Sequence, residues 1–549
     1  MVARIPLIVN PSVEQIQELP SGDSLSIPGD LDVTGAITGN SVHAVQLIAD
    51  GTIAAHAPVI LTSAGKAKAI ETEGASNGSS SNWFAGNGSD TAVYGLEDAC
   101  WLGGQNAVVV AWKIKSTTTS LDQDLQLTAG TLSGNSISWG TRTDLGPLEN
   151  PNGFSWIRLE SNNNDKAILM YHEGSEMNIR TFTVSGTTIT VGSKVPVRTT
   201  GTTTEGNLCY LGDDGGSSYF AAAYVHSGDA TVKIIKHDGH NNTTIGDEIK
   251  VPNGANNDEM KLIAMSHDRF LVQVGQESNT TTIHVCNRFG TTCRIGNGYT
   301  AKELGEAGAA PFVVTDHSYN AFLYEYTDET GVYDPINKKL IMWISAGSGL
   351  RGRVRVYNID GDTIKFHFES DFVSSDISTA NYQAFPSLEV TDKGHIVVSW
   401  QVDSNHYGKR VVGYYNDERD GILWGTVTNW SSEWTGRIQQ VKADDGKIIN
   451  LHVNGEIDSS WSLTGRSMVF QTPTTTLTSD NFLGFSVAGY SDGNTARISL
   501  SGSTTTKSGL TIGKKYYVQD DGTVGIGKSS FGVVAGKALS ATSLLITEV

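Results

Sequence analysis

The chain has 549 residues, 61 of them glycine, a hydrophobic fraction of 38% and a formal net charge of −19 at pH 7. An acidic surface of this kind repels phosphate backbones and anionic lipid, which argues against nucleic-acid binding. No apolar run approaches the roughly 18 residues a spanning helix needs, which argues against membrane insertion. The low apolar content and the many glycines lean towards antiparallel strands, where one face of each sheet can stay wet.

Residues 1–44 read as an extended arm followed by a short β segment. Pro6 and Pro11 forbid a continuous helix at the start, and Ser12 is placed to cap a short helix ending at Pro20. The opening shows no signal-peptide pattern. From Leu25 to Ile37 apolar residues recur at alternate positions, at Leu25, Ile27, Leu31, Val33 and Ile37. So thin a stripe suits either three chains wound around one axis or a plain surface hairpin. Residues 45–75 add short strands with turns at Asp50-Gly51 and Ala64-Gly65, then a Gly/Ser-rich linker.

Residues 76–472 repeat one grammar: an apolar strand, a glycine turn, an alternating strand, a second turn and a third strand. The apolar strand recurs near Val110, Leu169, Ala222, Val272, Met342, Val398 and Ile449. The step averages about 56 residues, which fits a four-stranded propeller blade. A sandwich array would need roughly 90–110 residues per unit. Each marker is preceded by another short strand, as in FSWIRLES, GNLCYLGD and FPSLEVTD. The expected fold is therefore all-β: a β-propeller of about seven four-stranded blades with an insertion near residues 300–330. Residues 473–549 contain about six strands and are one or two short of a closed barrel. They share the style of residues 45–75, so the two pieces are expected to form one small β-barrel or sandwich domain with the propeller inserted between them.

The run Arg4, Ile5, Pro6, Leu7, Ile8, Val9 and Asn10, with Gln17 to Pro20 and GDLDVTGAITG, resembles cyanophage tail-fibre and other virion structural proteins. SGLTIGKKYYVQDDGTVG and VVAGKALSATSLLI are similar to a β-module at the ends of phage tail and appendage proteins. The resemblance covers about a quarter of the chain. It implies a virion location, docking of Arg4 to Asn10 onto other virion tail or appendage proteins, a homotrimer, and a propeller facing a host cell-surface glycan or protein.

Residues able to carry chemistry are scattered along the chain. Arg351, Arg353 and Arg355 alternate on one strand beside Tyr357 and Asp360, a pattern open to a sialidase-like site or to a solvated outer strand. Gly489 to Gly493 has G-x-S-x-G spacing, but no helix and no downstream histidine follow it. His237 to His240 and the Asp213-Asp214 tip read as turns, and neither metal nor cofactor is called for. Cys100, Cys209, Cys286 and Cys293 match no redox or zinc spacing; Cys286 and Cys293 either face each other across a hairpin or are two buried thiols. Trp424, Trp430 and Trp434 lie in a polar stretch and are the candidate ligand-contact residues, since exposed indoles stack on sugars. The expectation is a non-enzymatic attachment protein of the virion. The alternatives are a propeller glycan hydrolase and a purely structural capsid appendage or tail adaptor.

Overall fold

The computed structural model describes residues 6–10, 15–18 and 43–547, apart from 86–92, 116–122, 149–155, 175, 200–202, 240, 256, 277–280, 301–330, 347–348, 379–386, 402–406, 417–420, 434, 455–463, 479 and 528–531. The alternating stripe of residues 25–37, the insertion at 301–330, His240 and Trp434 lie outside the described residues.

Seven antiparallel sheets follow one another along the body. Blade 1 is built from Val93–Leu102, Ala107–Lys115, Gln123–Ser133 and Ser136–Trp139. Blade 2 begins at Ile157–Ser161, blade 3 at Thr203–Asp214, blade 4 at Asn257–Ser266, blade 5 at Gly331–Asp334 and blade 6 at Ser387–Val390. Blade 7 takes three strands, Gly436–Lys442, Lys447–Asn454 and Thr464–Gln471, from the end of the body. Its outer edge comes from the start of the body, Ser76–Asn77 and Ser81–Ala85, which pair with the third strand. Closure therefore ties together segments almost 400 residues apart, which fixes the ring without a disulfide.

All seven apolar markers fall in the second strand of a blade. In blade 2 that strand, Ala167–Glu173, is buried at every position but the last, and in blade 6 His395–Gln401 is buried throughout. A strand sandwiched between neighbouring sheets loses its wet face, so alternation gives way to a continuous apolar run. The faces meet in successive cores. Val110 and Trp112 of blade 1 pack on Ile449 and Leu451 of blade 7, and Val109 and Ala111 pack on Leu159 and Leu169 of blade 2. The junction of blades 6 and 7 has the smallest apolar core, Val397, Ile448 and Phe470. There Ser399 donates to Asn450 (3.1 Å), and the Arg410 guanidinium lies 3.5 Å above the Phe470 ring.

The small domain is a sandwich assembled from both sides of the propeller. One sheet has the order Ala44–Ile48, Thr495–Ser499, Phe482–Ser486, Pro58–Leu61, Ala67–Ala69. The other is formed by Thr504–Thr506, Ser543–Leu545, Val534–Ser540, Lys515–Val518 and Val524–Gly525. Ile60 and Phe485 of the first sheet pack on Val518, Ala535 and Leu544 of the second. The strands that the last domain needs thus come from residues 44–69. The Gly489–Gly493 segment closes this seam: Tyr490 bridges to Ile53, and the Asp492 carboxylate accepts the Gly51 N–H at 2.9 Å.

The arm differs from expectation in one respect. Gln15–Glu18 is a strand paired with Pro6–Asn10, where a short helix was expected. A helix of one turn cannot repay its nucleation, whereas pairing with an already extended neighbour satisfies the backbone directly. Arg4 and Ile5 lie outside the described residues.

Candidate functional site: the central channel

The innermost strand of blade 2 alternates strictly. In Ile157–Ser161 the odd positions are buried, while Arg158 and Glu160 turn towards the propeller axis. Leu388 and Val390 are likewise buried with Glu389 between them. Ile157 and Leu159 belong to the blade 1–2 core, and Leu388 and Val390 to the blade 5–6 core. Packing of the apolar residues thus forces their polar neighbours onto the axis. The same logic places Lys261 between Met260 and Leu262, and Lys442 between Val441 and Ala443.

These residues enclose a channel of about 330 Å³ lined from all seven blades. Its wall is held in place by side chains reaching from one innermost strand to the next. Asp98 of blade 1 accepts the Leu159 N–H of blade 2 at 2.7 Å and its own neighbour's N–H, that of Ala99, at 2.8 Å. The Gln439 amide of blade 7 donates to the same carboxylate. Asn207 of blade 3 accepts the Leu262 N–H of blade 4 at 3.0 Å, and Ser387 of blade 6 accepts the Gln440 N–H of blade 7 at 3.0 Å. Parallel innermost strands leave backbone donors facing the seams, and these acceptors satisfy them.

Glu160 borders the channel yet sits deep within the ring of protein. Burial pushes its carboxyl up to about 8, and the Asp98 and Glu389 carboxylates add to the rise. The Ser161 N–H, 3.0 Å from Oε1, and the Tyr210 N–H pull the other way. Burial pushes Glu389 up to about 7, against the opposing pull of Lys442, the Val390 N–H and Lys261. At neutral pH such carboxyls keep much of their proton, so each can donate as well as accept a hydrogen bond.

The structure moves the tryptophans away from this site. Trp430 is only 3% exposed; its indole N–H donates to the Lys409 carbonyl (3.0 Å) and its ring packs edge-on to His452. Trp424 is half-buried, donates to Ser370 Oγ (2.9 Å) and packs on Phe372. Both serve the blades, because an indole beside a cross-strand glycine gains more from covering that backbone than from facing water. The expectation that they form an exposed stacking surface is therefore corrected for Trp430 and Trp424, while Trp434 lies outside the described residues. Nothing is described of the side chains of Pro6 to Asn10.

The arginine row is an ion-pair ladder. Arg353 pairs with Glu369 (2.8 Å) and Asp371, and Arg355 pairs with Glu369 (2.7 Å), across the third and fourth strands of blade 5. Tyr357 is fully buried in the blade 4–5 core. His237 is buried at the end of a strand, and the Asp238 carboxylate accepts from Ser217 and Lys236. Among the described residues no group of three or more His, Cys, Asp or Glu is placed to hold a metal. The four cysteines are buried free thiols, and the register sets Cys286 opposite Ile295 and Cys293 opposite Arg288.

The channel carboxyls were not singled out from the sequence, although WIRLES and SLEV carry them. The available signal was a charged residue beside apolar ones in a short strand before the marker, as at Arg158, Lys261, Glu389 and Lys442.

No protein-family model and no curated protein matches the chain. Among solved structures it is similar to the WD40 domain of SCAP from fission yeast, at 9% identity over 78% of this chain and 98% of that one, with a TM-score of 0.35. It is also similar to the intramolecular trans-sialidase of Ruminococcus gnavus, at 11% identity over 71% and 97%, with a TM-score of 0.39. A Dyadobacter fermentans protein of unknown function aligns at 10% identity over 73% and 99%, with a TM-score of 0.40. At these identities and scores the likenesses carry no functional argument; the propeller rests on the strand pairing itself, and function has to be argued from the site.

Proposed function

We propose that the chain is a non-enzymatic display protein of a phage appendage, a tail-fibre or spike component whose propeller contacts a host-surface glycan or protein, carried as a homotrimer. The observation that supports this reading is the neck. Ser76 and Gln471, where the chain enters and leaves the ring, are paired with each other, and Gln471 also pairs with Lys447 beside the first turn of blade 7. Just below, Thr72–Glu73 pairs with Thr474–Thr475 on the way to the small domain. The propeller is therefore a head on a two-stranded neck that leaves from the face carrying the first turn of each blade. On the opposite face each blade ends and the next begins, as at Thr300, the last residue of blade 4, and Gly331, the first of blade 5. Long connections on a rigid scaffold are the usual place for recognition.

Immunogold labelling of intact particles with antibody against residues 76–472 tests the reading. Label at distal fibre or spike tips supports it. Label on the head or proximal tail overturns it in favour of a structural appendage or adaptor.

One observation favours a second reading, a propeller glycan hydrolase. Glu160 and Glu389 line the same channel with raised affinity for protons, and a carboxyl that stays protonated near neutral pH is suited to act as a general acid. Release of reducing ends from host polysaccharide by the purified protein, abolished in both Glu160→Gln and Glu389→Gln, would establish it.

A further inference from the structure

The channel wall carries Arg158, Lys261 and Lys442 against Asp98, Glu160 and Glu389, and the two sets are not equally committed to the fold. The Asp98 carboxylate accepts the Leu159 and Ala99 N–H groups and the Gln439 amide, so it is turned into the seams that join blades 7, 1 and 2. Glu160 accepts the Ser161 and Tyr210 N–H groups and Glu389 the Val390 N–H, and among the described residues neither forms an ion pair. A buried carboxyl without a cation in contact avoids the cost of a bare charge by keeping its proton. Lys442 and Lys261 pull on Glu389 from a distance without offsetting its burial. Below about pH 7 the wall therefore holds three cations, one carboxylate already engaged by three donors, and two carboxyls largely in the neutral form. The thiols and phenols beside them, Cys100, Cys209, Tyr210 and Tyr333, are raised by burial and stay neutral as well.

The cations belong to blades 2, 4 and 7, with one, two and one blades between them, so they surround the axis instead of gathering on one wall. The volume of about 330 Å³ lies at the small end of the roughly 300–1,000 Å³ range of ligand pockets. An apolar guest would strip water from charged side chains without replacing its hydrogen bonds. A cationic guest would meet three like charges, and the one ionised carboxylate is engaged elsewhere. An anion on the axis meets opposite charge from three blades and two carboxyl O–H groups able to donate to it.

We propose that the channel binds a small solute bearing a carboxylate, held among Arg158, Lys261 and Lys442, with its hydroxyl groups turned to the neutral polar wall at Asn207 and Tyr333. A uronic acid has this chemistry. The proposal concerns the channel alone and stands apart from where the protein is displayed. A bound carboxylate disfavours ionisation of Glu160 and Glu389, so binding near neutral pH takes up part of a proton from solvent, and affinity falls as pH rises through about 7 and 8.

Calorimetric titration of the full chain with glucuronate, glucose and glucosamine as probes, at constant ionic strength, tests this. At pH 6 glucuronate is expected to bind at least tenfold more tightly than glucose or glucosamine. Its affinity is expected to fall at least fivefold between pH 6 and pH 9. At pH 7.5 the heat is expected to vary with the ionisation enthalpy of the buffer in the direction of proton uptake. Lys261→Met and Lys442→Met are each expected to weaken glucuronate at least fivefold at pH 6, with an unchanged circular dichroism spectrum. Glu160→Gln resembles the protonated native side chain in shape and cannot ionise. It is expected to weaken glucuronate at pH 6 by less than either lysine variant does, and to lose less affinity than the native chain on going to pH 9. Equal affinity for the three sugars at pH 6 overturns the proposal, as does no glucuronate binding at millimolar concentration. So does a folded pair of lysine variants that bind glucuronate as the native chain does, or an affinity that rises with pH.

Discussion

Trp430 lies against the backbone of Gly408: a Cβ at Gly408 would come within 2.4 Å of the indole Cε2. Trp424 stands in the same relation to Gly413, and Trp83 to Gly465. In each pair a glycine on one strand makes room for an indole that covers the backbone beside it. Gly408→Ala is therefore expected to cost about 1–3 kcal/mol through overpacking. Trp430→Ala is expected to cost about 3–5 kcal/mol through the cavity it leaves. Chemical denaturation followed by tryptophan fluorescence measures both, and a Gly408→Ala midpoint equal to native would contradict the packing argument.

Asp98 joins blades 7, 1 and 2 through the Gln439 amide and the Ala99 and Leu159 N–H groups. Asp98→Ala leaves a buried N–H without its acceptor and is expected to cost about 1–3 kcal/mol. Asp98→Asn keeps one acceptor oxygen and is expected to cost less. Thermal melting of the two variants side by side gives the order.

Of the buried groups that shape the pH profile of stability between about pH 3 and 8, Glu160, Glu389 and His452 shift the most. Glu160 and Glu389 hold their protons up to about 8 and about 7, whereas in the unfolded chain they ionise near the ordinary glutamate value, about 4.3. The folded state binds more protons in that window, so their contribution falls as pH rises from about 4.3 and levels off above about 8. His452, wholly buried, stays neutral down to about 3, against about 6.5 when unfolded. Its contribution is fully present above about 6.5 and is lost as pH falls towards 3. Between about 6.5 and 8 only the carboxyls act. Melting temperature is expected to decline across that interval in the native chain and to decline less in Glu160→Gln.

Arg410 is 1% exposed, and burial lowers its guanidinium to about 9. One nitrogen donates to Asn77 Oδ1 at 2.5 Å. A methionine of similar reach fills the same space above Phe470 without a buried charge. Arg410→Met is therefore expected to match or exceed native stability, while Arg410→Ala is expected to cost about 2–5 kcal/mol through the space it leaves. Equilibrium urea unfolding distinguishes them; a Met variant as unstable as the Ala variant would show that the charge itself matters.

The four thiols are buried, and burial raises Cys100, Cys209 and Cys286 well above the ordinary value and Cys293 to about 12. Thiolate is the reactive form. A disulfide reagent is expected to leave the native protein unlabelled at pH 8 and to label all four once it is unfolded. Rapid labelling of the native protein would place at least one thiol at the surface.

Local pattern was enough to read the repeat. Val110, Leu169, Ala222, Val272, Met342, Val398 and Ile449 mark the seven second strands, because a strand covered on both faces must be apolar throughout, whatever the rest of the chain does. The kinship of residues 45–75 with 473–549 was legible for a similar reason: glycine turns and short alternating strands are set within a few residues. Ring closure was not legible, since the pairing of Gln471 with Ser76 is a contact between distant segments that neither strand announces. Nor was the channel. Glu160 and Glu389 carry no mark of their own in the sequence; they become a site only when seven innermost strands converge on one axis. The tryptophans failed in the opposite direction: a polar neighbourhood in sequence suggested exposure, but glycines on adjacent strands supplied the space to bury them. Sequence fixes which residues alternate; only the closed ring decides which of the two alternating faces meets water, protein or the channel.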